Sequence, residues 1–242
     1  MTTNITDHLV SLKTRVSYAA ATAHPFLVSA GNGTLDPALL ALWLSQDRIY
    51  AAHAYPHFIG SLIANIGFDS NHGITSHQEL FNQRILKLLV FSLDNVIREV
   101  NFFKDAAEKW GLPLESWMER QSTRNYTAEM ARVAGGRNIE DGLVFLWAME
   151  KVYLDAWTGV HRGLASIPGG NPSDSAVASF ANNWSSPEFV EFVDELATLV
   201  NDLGIKPGTE AWIRAEGIWS RIVELEADFW PNTGEEVTQR IN

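Results

Sequence analysis

An aspartate lies on the apolar stripe of a predicted helix in the segment LLALWLSQDRIYAAHAYPHF, residues 39–58. At helical spacing Asp47 falls within a face that is formed by Leu40, Trp43, Leu44, Tyr50, Ala51 and Ala54. A buried carboxylate is costly unless a partner compensates it. The adjacent Arg48 points about 100° away around the helix, which makes it a poor partner. We therefore expect Asp47 to face a polar ligand in an internal pocket.

Two further carboxylates share this placement. Glu226 lies on the apolar stripe of GIWSRIVELEADFW, residues 217–230, and Glu150 lies on that of GLVFLWAMEKVYLDAW, residues 142–157. A single buried acid is often part of a structural ion pair. Three acids from three helices point instead to a shared pocket, where neighbouring carboxylates raise one another's pKa and suit general acid–base catalysis.

Three of the five tyrosines belong to the same prediction. Tyr50 and Tyr153 lie one helical turn from Asp47 and Glu150, and Tyr126 lies in the polar middle of an otherwise amphipathic helix. A phenol offers a hydrogen-bond donor and a ring face, which together suit a flat heteroaromatic ligand. A tyrosine in the core with a satisfied hydroxyl is the alternative, and for Tyr126 alone it is the preferred interpretation.

Histidine spacing does not indicate a metal site. The Glu-x-x-His pairs of di-iron bundles do not occur in the sequence. His53 and His57 have i,i+4 spacing, which could bind a metal, but the sequence suggests no third ligand near them. Any of the seven histidines could ligate a haem, and spacing does not choose among them. We predict no metal and no cofactor.

Composition limits the function classes. Of 242 residues, 46% are hydrophobic and 19% charged, which allows a sizeable core. The net charge of -11 argues against nucleic-acid partners. The absence of cysteine excludes disulfides, thiolate metal sites and a cysteine nucleophile. Neither a signal peptide nor a membrane-length apolar run is recognisable, so we expect a soluble, cytoplasmic protein without a membrane partner.

Helix-boundary signals recur along the chain, whereas strand alternation hardly appears. Asp36-Pro37 and Ser186-Pro187 predict helix starts, and Asn138 and Thr209 are candidate N-caps. The predicted helices cover residues 6–22, 37–66, 73–110, 114–134, 139–165, 174–184, 187–203 and 209–230. A break or kink is expected at SLDN, residues 92–95. These elements predict one all-α domain, a multi-helix bundle over residues 1–242, with a loose tail over residues 231–242.

The segment HPFLVSAGNGTLDPALLALWLSQDRIYAAHAY, residues 24–55, resembles the opening of the TenA family (thiaminase II), with its His-Pro-Phe, Gly-x-Leu and Gln-Asp-x-x-Tyr motifs. The closing EADFW resembles the family's Glu-x-x-Phe-Trp, and WSSPEFVEFVDEL matches the segment before the last helices. The resemblance spans most of the chain. It implies a haem-oxygenase-like all-α fold, a homotetramer, and a pocket for the aminopyrimidine half of thiamin.

Position by position, the resemblance implies roles for individual residues. Asp47 matches the acid that binds the aminopyrimidine edge, and Glu226 matches the catalytic glutamate. Tyr50 and Tyr126 match pocket tyrosines, and Tyr153 matches a tyrosine near the reaction centre. The closing motif also assigns Phe229 to the substrate pocket.

Two departures from the family pattern define the branch that the sequence resembles. Met149 stands where the best-known branch has a cysteine, and Trp184 stands where the family often has tyrosine. Cleavage through a thiolate adduct is therefore excluded. We expect a hydrolase acting on an aminomethyl- or formylaminomethyl-pyrimidine, with Glu226 and Glu150 as the catalytic pair. A non-catalytic pyrimidine or thiamin binder, and a haem- or redox-cofactor-binding member of the fold, are the alternatives.

Overall fold

The computed structural model describes residues 4–167 and 175–241, and within them the chain is all-α, as predicted. A π-helical segment, Tyr50–Ala54, joins two of the helices, and one isolated bridge pairs Trp117 with Arg240. The α-helices are α1 Ile5–Ser11, α2 Tyr18–Thr22, α3 Pro25–Gly31, α4 Pro37–Ile49, α5 Tyr55–Ala64, α6 His77–Trp110, α7 Gln121–Gly135, α8 Ile139–Ala165, α9 Ala176–Trp184, α10 Pro187–Asp202, α11 Glu210–Phe229 and α12 Glu235–Thr238. No helix of the described residues is long and apolar enough to cross a membrane.

The predicted N-caps are confirmed. The side chain of Asp36 accepts hydrogen bonds from the backbone N–H groups of Ala38 and Leu39, at 2.7 and 3.3 Å. Asn138, Ser186 and Thr209 likewise cap α8, α10 and α11. Each cap satisfies a backbone donor that the first helical turn leaves unpaired.

Four predicted boundaries are wrong. The helix predicted over residues 6–22 divides into α1 and α2, and α3 was missed. Helix α7 starts at Gln121 and not near residue 114. Helix α6 continues through residues 92–95 without a break. The hydroxyl of Ser92 donates to the Leu88 carbonyl at 2.9 Å and is thereby satisfied within the helix. The predicted start at residue 174 lies outside the described residues.

The helix predicted over residues 37–66 contains the π-helical segment because of Pro56. Proline has no N–H, and its ring clashes with the carbonyl four residues earlier in a regular α-helix. The chain widens over Tyr50–Ala54, directly before this proline. In a regular α-helix residues five apart diverge by about 140°, whereas a π-turn brings them to the same side. Tyr50 and Tyr55 accordingly approach each other, with ring centroids 5.9 Å apart.

The segment after Trp230, predicted to be loose, is held against the rest of the chain. Its short helix α12 supplies Glu235, whose carboxylate accepts hydrogen bonds from the buried guanidinium of Arg120 at 2.7 and 3.0 Å. The same guanidinium donates to the Phe229 carbonyl at 2.6 Å. A cation there stabilises the C-terminal end of α11. The ion pair explains why a polar sequence is ordered at this point.

Helix α8 lies at the centre of the bundle and packs against α2, α3, α9, α10 and α11. Every residue from Gly142 to Met149 is buried. Near its C-terminal end α8 approaches α3 so closely that a Cβ on Gly163 would lie 2.9 Å from the carbonyl oxygen of Gly31. Glycine at this position therefore sets the distance between α3 and the helix that carries Met149, Glu150 and Tyr153.

We expect Gly163→Ala to destabilise the protein by about 1–3 kcal/mol, because the added methyl group overlaps backbone that has little freedom to move. Gly159→Ala is the matched control on the same helix, since its nearest contact would be 3.8 Å away. Alanine is the better helix former, so this control should be neutral or stabilising by up to about 1 kcal/mol. Urea denaturation of both variants checks the expectation. Equal stabilities would contradict the close approach of α3 and α8.

Candidate active site

A cavity lies between the helices that carry the predicted site residues. All nine of these residues line it. Their roles remain predictions, but the fold does bring them to one place. The residues are Asp47, Tyr50, Tyr126, Met149, Glu150, Tyr153, Trp184, Glu226 and Phe229.

Glu226, on α11, is one of the most deeply buried charged residues of the described chain, with 2% of its surface exposed. The Tyr126 hydroxyl donates to Glu226 Oε1 at 2.5 Å. The second oxygen, Oε2, is buried and has no hydrogen-bond partner among the described residues. A buried acceptor without a partner is costly, so this oxygen is available to a ligand or a proton.

Asp47 and Glu150 are held in the same way by other tyrosines. The Tyr153 hydroxyl donates to Asp47 Oδ2 at 2.9 Å, and the Tyr55 hydroxyl donates to Glu150 Oε1 at 2.6 Å. In both pairs the acid and its donor come from different helices. Each phenol therefore fixes the position of a carboxylate and leaves its other oxygen for the cavity.

Glu99, on α6, is a fourth carboxylate in the cavity, and the sequence analysis missed it. Its Oε1 accepts a hydrogen bond from the indole N–H of Trp184. The residue lies on the buried stripe of α6 between Val96 and Phe103, at the same helical spacing that identified the other acids. The break expected at residues 92–95 hid this periodicity.

Burial raises the pKa of these carboxyl groups. The cause is mainly loss of hydration, and it brings the pKa of Glu226 and of Glu99 to about 7 and that of Glu150 to about 8. Burial also raises the pKa of Asp47, and the neighbouring charge of Glu99 raises it further. None of the described lining residues is a lysine or an arginine. The acids are therefore able to hold protons near neutral pH.

Aromatic rings form the remaining walls. The Tyr50 ring stacks on Tyr126 with centroids 5.3 Å apart and an interplanar angle of 13°. Phe229 contacts both of them, and the Tyr50 hydroxyl donates to Met149 Sδ at 3.4 Å. These flat surfaces beside paired hydrogen-bonding groups fit a planar heteroaromatic ligand.

Other residues that line the cavity were not predicted from the sequence. Tyr55 escaped it because it lies five residues after Tyr50, on the opposite side of a regular α-helix; Pro56 is the signal that would have indicated the π-turn. The others are Ser92, Asn95 and Val96 on α6 and Phe189 on α10.

His53 and His57, weighed above as a metal pair, are exposed and lie in a separate surface groove. Within residues 4–167 and 175–241 no group of three potential metal ligands is found.

Comparisons with known proteins agree with this architecture. The model of the TENA/THI-4/PQQC family matches residues 13–236. A Glycine max relative named "Probable bifunctional TENA-E protein" is 23% identical over 90% of this chain and 88% of its own. A TenA homologue from Pyrococcus furiosus superposes with a TM-score of 0.76 at 22% identity, covering 93% of this chain and 98% of that one. A Sulfolobus solfataricus protein, described as a "putative tena-like thiaminase", gives 0.62 at 15%, covering 93% and 92%. These structural matches show the fold.

We expect Glu150→Gln to stabilise the unliganded protein at pH 8, on the order of 2 kcal/mol, and to change it little at pH 4. The folded carboxyl, with its pKa raised to about 8, keeps its proton while the unfolded one loses it above about 4.5. The contribution of Glu150 to stability is therefore complete at low pH and is lost as the pH rises through this window. Glutamine does not titrate and can still accept from Tyr55.

Chemical denaturation from pH 4 to pH 8 measures this difference, with Glu188→Gln as the control for removing an exposed carboxylate. An equal pH dependence in wild type and Glu150→Gln would contradict the burial of Glu150.

Proposed function

Because the chain belongs to the TENA/THI-4/PQQC family, we propose that it is a hydrolase that breaks a C–N bond in an aminopyrimidine derived from thiamin. The observation that carries the proposal is Glu226, a buried acid with one oxygen held by Tyr126 and the other unpaired. A carboxyl group in this state gives or takes a proton near neutral pH. The thiaminase description of one relative supports thiamin chemistry.

Asp47 would recognise the substrate. The amino group and adjacent ring nitrogen of an aminopyrimidine form an amidine-like edge, which a carboxyl group binds through two parallel hydrogen bonds. Tyr153 holds one oxygen of Asp47 and so limits its rotation. Stacking of the ring against Tyr50 and Phe229 would supply the apolar part of the binding energy.

The acids would then share the hydrolytic step. Water attacks the methylene carbon, its O–C bond forms as the C–N bond breaks, and it gives up a proton to the carboxylate of Glu226 or of its partner Glu150. The nitrogen leaves as ammonia from the protonated amine and takes that proton from the acid. An aminomethylpyrimidine with its amine protonated, together with one water, thus gives the hydroxymethylpyrimidine and ammonium. No thiolate takes part, because the sequence contains no cysteine.

The alternatives differ from this proposal in testable ways. A non-catalytic binder would use the same pocket without turnover, and the missing cysteine is the feature that favours it. A haem- or redox-cofactor-binding protein would absorb light beyond the aromatic band after purification, whereas the proposed hydrolase would be colourless. The homotetramer and the cytoplasmic location stay predictions.

We expect Glu226→Gln to lower kcat by about 10²–10⁴-fold while the Kd for hydroxymethylpyrimidine stays within about threefold. Glutamine keeps the acceptor for Tyr126 but does not transfer a proton. Calorimetry measures binding, and the release of ammonia or formate measures turnover. Normal turnover with weakened binding would remove Glu226 from the catalytic role.

Asp47→Ala should raise KM steeply, by about tenfold or more, with a smaller change in kcat, since alanine removes both hydrogen bonds to the aminopyrimidine edge. Steady-state kinetics on the aminomethyl substrate test this expectation. Tyr153→Phe is the matched comparison, because it removes the donor to Asp47 and leaves the carboxyl group in place. An unchanged KM for Asp47→Ala would place Asp47 outside the substrate contact.

Assays of the wild-type protein on the aminomethyl and formylaminomethyl pyrimidines distinguish the hydrolase from the non-catalytic binder. Binding with release of ammonia or formate supports the hydrolase and identifies the leaving group. Binding without release of either supports the non-catalytic binder.

A further inference from the structure

Glu99 has no role in the proposed hydrolysis, although it is a half-buried carboxylate in the same cavity. Helix α6 presents it from the stripe that also carries Ser92 and Val96. The indole N–H of Trp184 donates a hydrogen bond to its Oε1. No side chain or backbone group of the described residues donates to its Oε2.

Glu99 lies where the cavity meets a groove on the surface. Four side chains line both spaces, and we call them the neck: Asn95, Glu99, Trp184 and Phe189. The outer part of the groove is formed by Phe91, Arg98, Glu188 and Phe192, among others. A molecule that passes from solvent into the cavity through this groove would meet Glu99 at the neck.

Arg98, a cation that lines the same groove, is not paired with Glu99. Arg98, one position earlier on α6, is exposed and donates to Glu188 at 3.0 Å and to Asn95 Oδ1 at 3.1 Å. On the inner side Glu99 shares the lining of the cavity with Asp47, Glu150 and Glu226. No described residue that lines the cavity is a lysine or an arginine, and Arg98, which lines the groove, is already paired with Glu188.

We propose that Glu99 is a cation subsite at the neck, and that the molecule this site accepts carries a protonated amine next to its aromatic ring. An ammonium group donates up to three hydrogen bonds and brings the positive charge that the buried acids lack. A formylated amine is neutral at the same position and offers only one donor. The identity of the ring rests on the proposed function; the charge preference does not.

Combined with the proposed function, this assigns the aminomethyl-pyrimidine, rather than its formyl derivative, as the preferred substrate. Glu99 and Glu226 line the same cavity, and the Oε2 of Glu226 is buried without a hydrogen-bond partner among the described residues.

Two matched pairs of probes test the subsite. Benzylammonium and benzyl alcohol differ in charge but hardly in shape, and they need no pyrimidine recognition. Aminomethyl- and hydroxymethyl-pyrimidine form the second pair. Calorimetric titration at pH 7.5 gives the affinity ratio within each pair for wild type, Glu99→Gln and Glu188→Gln, the last removing an exposed acid of the outer groove.

We expect wild type and Glu188→Gln to prefer the ammonium member of each pair by about tenfold or more, and Glu99→Gln to reduce this ratio to about twofold. Binding of the neutral members should stay within about threefold in all three proteins, which also shows that the Glu99→Gln pocket remains folded.

Any of three results overturns the proposal. Wild type could bind benzylammonium and benzyl alcohol with equal affinity, Glu99→Gln could lower the affinity for both members of a pair equally, or Glu188→Gln could lose the preference for the ammonium member as well. Failure of the proposed function looks different. A charge preference that depends on Glu99, without release of ammonia or formate, would disprove the hydrolase and leave the cation subsite intact.

Discussion

Four carboxylates, two of them buried and two half-buried, line one cavity that has no lysine or arginine among its described lining residues, and the rest of the structure depends on this constraint. Each acid receives one hydrogen bond from an aromatic side chain, and each donor lies on a different helix from its acid. The pairs connect α11 with α7, α4 with α8, α8 with α5, and α6 with α9. The interactions that keep the acids in place therefore also fix the relative positions of the helices.

This arrangement places the acids for ligand binding but lowers the stability of the unliganded protein. A single phenol or indole donor compensates only part of the hydration that a carboxyl group loses on burial. The remaining cost appears as raised pKa values, most clearly at Glu150, where the value reaches about 8. A ligand that donates hydrogen bonds or brings positive charge would recover part of this cost, as expected for a site adapted to its ligand rather than to stability.

Polar interactions outside the cavity support the same helices. The buried side chain of Arg120 lies against the C-terminal end of α11. It donates to the carbonyl of Phe229, three residues after Glu226, and to the carboxylate of Glu235 on α12. The backbone N–H of Arg120 donates to the side chain of Gln46 at 2.8 Å. Gln46 is fully buried and directly precedes Asp47. One cation thus connects the helix of the proposed catalytic acid with the helix of the proposed recognition acid, and it does so without entering the cavity.

The sequence by itself determined the all-α class, the N-caps and three of the four acids that line the cavity, because caps and helical periodicity are local properties of the chain. It did not identify Glu99, since a polar stretch in α6 looked like a break, nor Tyr55, since a π-turn changes which residues share a face. Only the tertiary structure decided which donor meets which acid. Tyr126 and Glu226 are 100 residues apart in sequence, and Tyr55 and Glu150 are 95 apart. No local pattern encodes such pairs, because they exist only once the helices have packed against one another.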